Sequence, residues 1–146
     1  METERIVLNE ARNVSLTAYL QPVGGEFNGI GERPAVLVIP GGGYRYCSDR
    51  EADPVALAYL KAGYHAFVLR YSLGEHAAWP HPLEDYEQAM SLIREKAGGS
   101  VITLGSFLRF AKLSEAAVRD IEEKLRAIPK DTKEDLYLLQ YQIHVI

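Results

Sequence analysis

The chain has 146 residues but only one cysteine, Cys47. A single thiol excludes an internal disulfide framework and any cysteine-rich zinc site, and a reducing cytoplasm is the expected compartment. No apolar run approaches the roughly 20 residues needed to cross a bilayer. The start, Met-Glu-Thr-Glu-Arg, is acidic and is followed by no long apolar stretch, so neither a signal peptide nor a membrane partner is expected. A basic excess is missing too: 16 Lys and Arg stand against 20 Asp and Glu, a formal net charge of −4. That balance gives no drive toward phosphate neutralisation, so no nucleic-acid partner is expected. Internal repeats and low-complexity tracts are absent as well. The remaining composition, 47% hydrophobic and 25% charged, suits a globular chain with a proper core.

What is present is organised around Pro34-Ala-Val-Leu-Val-Ile-Pro-Gly-Gly-Gly-Tyr44. A short apolar run, Ala35 to Ile39, bounded by Pro and Gly reads as a buried strand of a parallel sheet. The glycines that follow can take positive φ and bring bare N–H groups close to a ligand. The plainer reading, a tight strand-to-helix turn without chemistry, competes evenly at this point.

The rest of the chain takes its place around that strand. Residues 4–9 and the alternating 14–20 segment are strand candidates that pair antiparallel at an edge. A loop rich in Gly and Pro follows, from Pro22 to Gly31. Beyond the glycines, Ser48 and Glu51 have capping-box spacing, and a helix runs through Val55, Leu57, Ala58, Leu60 and Ala62. Gly63 is placed as its left-handed C-terminal residue. His65 to Tyr71 is the next strand, which completes a βαβ unit. The spacing of Leu83, Tyr86, Ala89, Met90, Ile93 and Ala97 predicts a second amphipathic helix, ended by Gly98-Gly99. Val101 to Leu104 is a further short strand. The expected fold class is α/β: three layers, a mostly parallel sheet after its antiparallel start, and a C-terminal helical hairpin. Region 1–98 forms the first unit, and 99–146 carries a short strand and the helical tail.

Taken in order, these residues resemble the α/β-hydrolase superfamily, in its acetyl-xylan-esterase-like and feruloyl-esterase-like branch. Ile39-Pro-Gly-Gly-Gly-Tyr44 stands where such enzymes carry a His-Gly-Gly-Gly or Pro-Gly-Gly-Gly oxyanion loop. Ser48 to Pro54, the Ala56-Leu57-Ala58 helix, the Gly63 to Tyr71 strand and Pro82-Leu83 with Ala89, Ile93 and Arg94 follow as in that family. The likeness covers about residues 13–97. It implies an incomplete α/β-hydrolase sheet, an oxyanion hole at Gly41, Gly42 and Gly43, and a substrate pocket shaped by Tyr44. The implied partner is a small acyl or acetyl ester, or a carbohydrate ester, and the implied reaction is hydrolysis through a serine acyl-enzyme.

The chain departs from that pattern where the nucleophile belongs. Its 146 residues contain no Gly-x-Ser-x-Gly. Ser106 follows a strand-like run, but the residues two away are Leu104 and Leu108 rather than glycines. Ser106, then Asp131 or Asp135, then His144 has the family's chain order; the plainer reading makes Ser106 a helix cap and the acids ordinary helix starts. The tail reads as a helical pair, 113–128 and about 131–142, broken at Pro129. No metal and no cofactor are expected, since His76 and His81 lack a third ligand. The expected function is an esterase-like protein, inactive on its own; the alternative is a binding module that self-associates as a homodimer through the sheet edge left uncovered where later strands of the family would pair.

Overall fold

The computed structural model describes residues 1–105. The expected helical tail, and with it Ser106, Asp131, Asp135 and His144, lies outside the described residues.

The 14–20 alternation forms β2 (Val14–Leu20), which pairs antiparallel with β1 (Glu2–Asn9). The apolar run forms β3 (Arg33–Ile39), and His65–Arg70 forms β4. Between them a 3-10 turn at Asp49–Glu51 precedes α1 (Asp53–Lys61). Pro54 falls in the first turn of α1, where the missing N–H costs no hydrogen bond. Gly63 closes the helix as expected, with φ +101° and its N–H on the Leu60 carbonyl at 3.0 Å. The longer helix α2 (His81–Ala97) runs directly into β5 (Gly98–Gly105).

The strands lie in the order β1-β2-β4-β3-β5. β1 with β2 and β2 with β4 are antiparallel, whereas β4 with β3 and β3 with β5 are parallel, so the sheet is mixed. Successive side chains on β3 and β4 point to opposite faces, and both faces are covered. Val36, Val38, Ala66 and Val68 pack with Ala56 and Leu60 of α1. Ala35, Leu37, Ile39, Phe67 and Leu69 pack with Leu83, Tyr86, Ala89, Met90 and Ile93 of α2. Burial on both faces is why β3 reads as an unbroken apolar run. Each large side chain so buried contributes about 1.5–3 kcal/mol.

The chain leaves β3, crosses by α1 to β4 on one side, then returns by α2 to β5 on the other. In such sheets the crevice for a ligand forms beyond the C-terminal ends of the strands, at the point where the direction of winding reverses. Here that point is the end of β3, where the glycines begin.

Candidate functional site

Residues 40–48 are built by side chains reaching in from elsewhere. The Tyr71 hydroxyl, at the end of β4, donates to the Pro40 carbonyl at 2.5 Å. The Gly41 N–H donates to Glu51 Oε2 at 2.7 Å, and the Ser48 N–H closes the segment on the Gly41 carbonyl at 2.8 Å. Arg45 N–H bonds the Gly42 carbonyl at 3.2 Å, and Gly74 N–H bonds the Tyr44 carbonyl at 2.7 Å.

This geometry corrects one expectation. Ser48 and Glu51 do not form a capping box, because Ser48 makes no side-chain cap bond. Glu51 instead turns its carboxylate back to Gly41, where a charged acceptor binds a backbone donor more strongly than a neutral one does.

The glycines divide by role. Gly41 has its N–H committed to Glu51. Among the described residues, no acceptor engages the N–H of Gly42 or Gly43. Gly42 has φ +154°, and a Cβ there would stand 1.9 Å from the Tyr46 carbonyl oxygen. No side chain fits at that position. Gly43 has φ +63°, with open space around it. Two adjacent, unengaged donors at the C-terminal end of a central parallel strand make an arrangement able to hold an oxyanion.

Tyr44 continues the left-handed backbone with φ +60°, an uncommon conformation for a bulky residue. Its ring packs against the α2-side core and stands edge-on to Tyr71, with centroids 5.7 Å apart at 71°. Burial pushes both phenols well above their ordinary range, so each stays protonated. The Tyr44 hydroxyl is buried and has no partner among the described residues. An orphaned hydroxyl of this kind costs stability unless something binds it.

Cys47 is half-buried in the same segment. Burial pushes its thiol up, more than hydrogen bonding to Tyr71 and the Arg70 charge pull it down. That environment disfavours the thiolate a catalytic cysteine needs. His65 is a packed residue whose Nδ1 accepts from the Gln21 N–H at 3.1 Å. Burial and then the Arg33 charge lower its pKa.

One supporting cluster gives no signal in the sequence. Asp85 on α2 is fully buried, and it accepts from the Ser72 N–H at 2.8 Å, the Ser72 hydroxyl at 2.5 Å and Arg12 Nη2 at 2.8 Å. Arg12 Nε also donates to Ser72 Oγ at 2.9 Å. Together they clamp the turn between β1 and β2, the end of β4 and the start of α2. Tyr71 precedes Ser72 and Gly74 follows two residues after it, so the clamp holds the segment that carries the partners of Pro40 and Tyr44. β5 ends at Gly105, which is in register with Ile39.

No family model matches the chain. Among solved structures, the chain is similar to an α/β-hydrolase enzyme from a Medee basin deep-sea metagenome library, with 47% identity and a TM-score of 0.64 over 70% of this chain and 46% of that one. A carboxylesterase from Lactobacillus plantarum matches at 28% identity and a TM-score of 0.60, over 70% of this chain and 42% of that one. Among curated proteins, endo-1,4-beta-xylanase B of Butyrivibrio fibrisolvens is 39% identical over 69 residues, which is 45% of this chain and 11% of the xylanase. The chain thus spans less than half the length of these relatives.

Proposed function

From a chain whose described residues carry the α/β-hydrolase fold, we propose an esterase-like protein. It offers Gly42 and Gly43 as the oxyanion-holding part of a site for small acyl or carbohydrate esters. Tyr44 forms a wall of that site, and the chain does not turn esters over by itself. The observation that carries the reading is the pair of unengaged N–H groups at Gly42 and Gly43, the first at a position that admits no side chain. A tetrahedral acyl intermediate concentrates negative charge on one oxygen, and losing one preorganised donor costs about 2.7–4 kcal/mol of transition-state stabilisation. The carboxylesterase among the relatives supports an ester, and the xylanase a carbohydrate, as the ligand class. The absence of Gly-x-Ser-x-Gly from the sequence supports the lack of turnover.

Two measurements test the two halves. Acetate, titrated into labelled protein, shifts the Gly42 and Gly43 amide resonances and leaves Gly41 unmoved; equal movement of all three rejects the cradle. Hydrolysis of p-nitrophenyl acetate stays at the buffer rate. Turnover that Ser106→Ala abolishes overturns the inactivity and makes Ser106 the nucleophile.

A second reading, self-association, draws support from β1. Its residues are largely exposed, with Val7 at 55%, and among the described residues it pairs only with β2. Such an edge can pair with another copy. A monomer by sedimentation at high concentration rejects it.

A further inference from the structure

A cleft of about 250 Å³ opens on the sheet between β1, β2 and the segment after Gly43. Three guanidiniums line it: Arg5 from β1, Arg45 from the glycine segment and Arg70 from the end of β4. Among the described residues no aspartate or glutamate lines it, although the chain as a whole is acidic. Arg70 is held from outside the cleft, by Asp53 at 3.1 Å and by Asp49 at 4.0 Å. Arg5 and Arg45 have no carboxylate within 4.0 Å among the described residues.

Arg5 and Arg45 bring charge to the cleft without a carboxylate of their own among the described residues, and an anion bound there would supply the counter-charge. Each free guanidinium presents a planar fork that can hold a carboxylate or phosphate through two parallel hydrogen bonds. The other lining groups suit a polar ligand with one flat face: Asn13 and Ser15 supply neutral donors and acceptors, and Tyr46, 59% exposed, supplies an aromatic surface. The volume lies just below the usual range for drug-sized ligands, so the occupant is small.

We infer that this cleft binds a small ligand carrying a compact oxyanion, a carboxylate or a phosphate. Arg5 and Arg45 are its charged partners, and Arg70, already fixed by Asp53, also lines it. The inference does not rest on ester chemistry, because neither Gly42 nor Gly43 lines the cleft.

Calorimetric titration of the full chain at low salt tests it, with sodium glucuronate and sodium phosphate as probes and xylose as the neutral control. One or both anions bind saturably with one site per chain, the affinity falls as salt is added, and xylose gives no binding. Which anion binds more tightly identifies the oxyanion chemistry. Arg5→Gln and Arg45→Gln each weaken binding about threefold or more, while Arg50→Gln, outside the cleft, does not. Both target residues are exposed, and unchanged thermal melts show that the variants remain folded. Absence of saturable binding by either anion overturns the inference, as does binding that the Arg5→Gln, Arg45→Gln double variant leaves intact.

Discussion

The Tyr71 hydroxyl donates to the Pro40 carbonyl at 2.5 Å and so ties the end of β4 to the first residue beyond β3. The same phenol ring is the surface against which Tyr44 stands edge-on. One side chain therefore fixes both ends of the glycine segment. Tyr71→Phe keeps the ring contact and removes the tether together with the hydroxyl's interaction with the Cys47 thiol. It leaves a buried carbonyl unsatisfied and lowers stability by about 1–3 kcal/mol, read from urea denaturation. No change in midpoint would show that the tether contributes nothing.

Gly42 and Gly43 respond differently to the same substitution. Gly42→Ala places a methyl group 1.9 Å from the Tyr46 carbonyl oxygen, so the backbone has to move. Acetate-dependent shifts at the neighbouring amides are lost. Gly43→Ala meets nothing within 4 Å and costs only the left-handed conformation, about 1–2 kcal/mol. Its acetate response survives. Equal behaviour of the two variants contradicts the close approach at Gly42.

Glu51 occupies the Gly41 donor. Glu51→Ala frees that N–H, and the Gly41 amide then joins Gly42 and Gly43 in responding to acetate. Stability falls by about 1 kcal/mol or less, because the bond is exposed. A silent Gly41 amide in the variant shows that the backbone there points elsewhere.

Asp85 is fully buried, with Arg12 and Ser72 as its partners. Asp85→Ala strands the Arg12 charge and the Ser72 donors and destabilises the fold by about 3 kcal/mol in urea. The Arg12→Ala, Asp85→Ala double variant loses less than the sum of the single losses, because the two residues act as one unit. Strict additivity denies the clamp.

His65 gives the fold a dependence on pH. Its pKa is lowered from the ordinary 6.5 by burial and then by Arg33, so the unfolded chain takes up a proton that the folded chain resists. Its contribution is fully present above about pH 6.5 and is lost as pH falls through the depressed value. Denaturation midpoints drop on acidification below about pH 6.5 in the native chain, and the slope is smaller in His65→Gln. A parallel slope in both proteins assigns the effect to other groups.

Local chemistry made most of the scaffold legible. The period-2 pattern of Val14–Leu20 marks a strand with one better-buried face, and the unbroken Ala35–Ile39 run marks a strand covered on both. The stripe from Leu83 to Ala97 marks α2 within two residues at its start. The supports of the glycine segment were hidden for a physical reason. Glu51 reaches Gly41 across ten positions, Tyr71 reaches Pro40 across 31, and Arg12 reaches Asp85 across 73. None of these separations leaves a periodicity to read. Spacing alone also mistook Glu51 for a cap, since a carboxylate three residues after a serine serves whichever donor the fold brings nearer. The glycine triplet marked a candidate oxyanion loop but could not rank its three donors.

Parallel strands deliver their exits to a common rim. Ile39 and Gly105 share a rung of the sheet, so β3 and β5 end at the same level. The last residue of β5 therefore stands beside the strand that leads, three residues on, to the proposed donors at Gly42 and Gly43. A reactive hydroxyl grafted at that height needs only the right turn to face them, which makes the exit of β5 the address at which to engineer turnover.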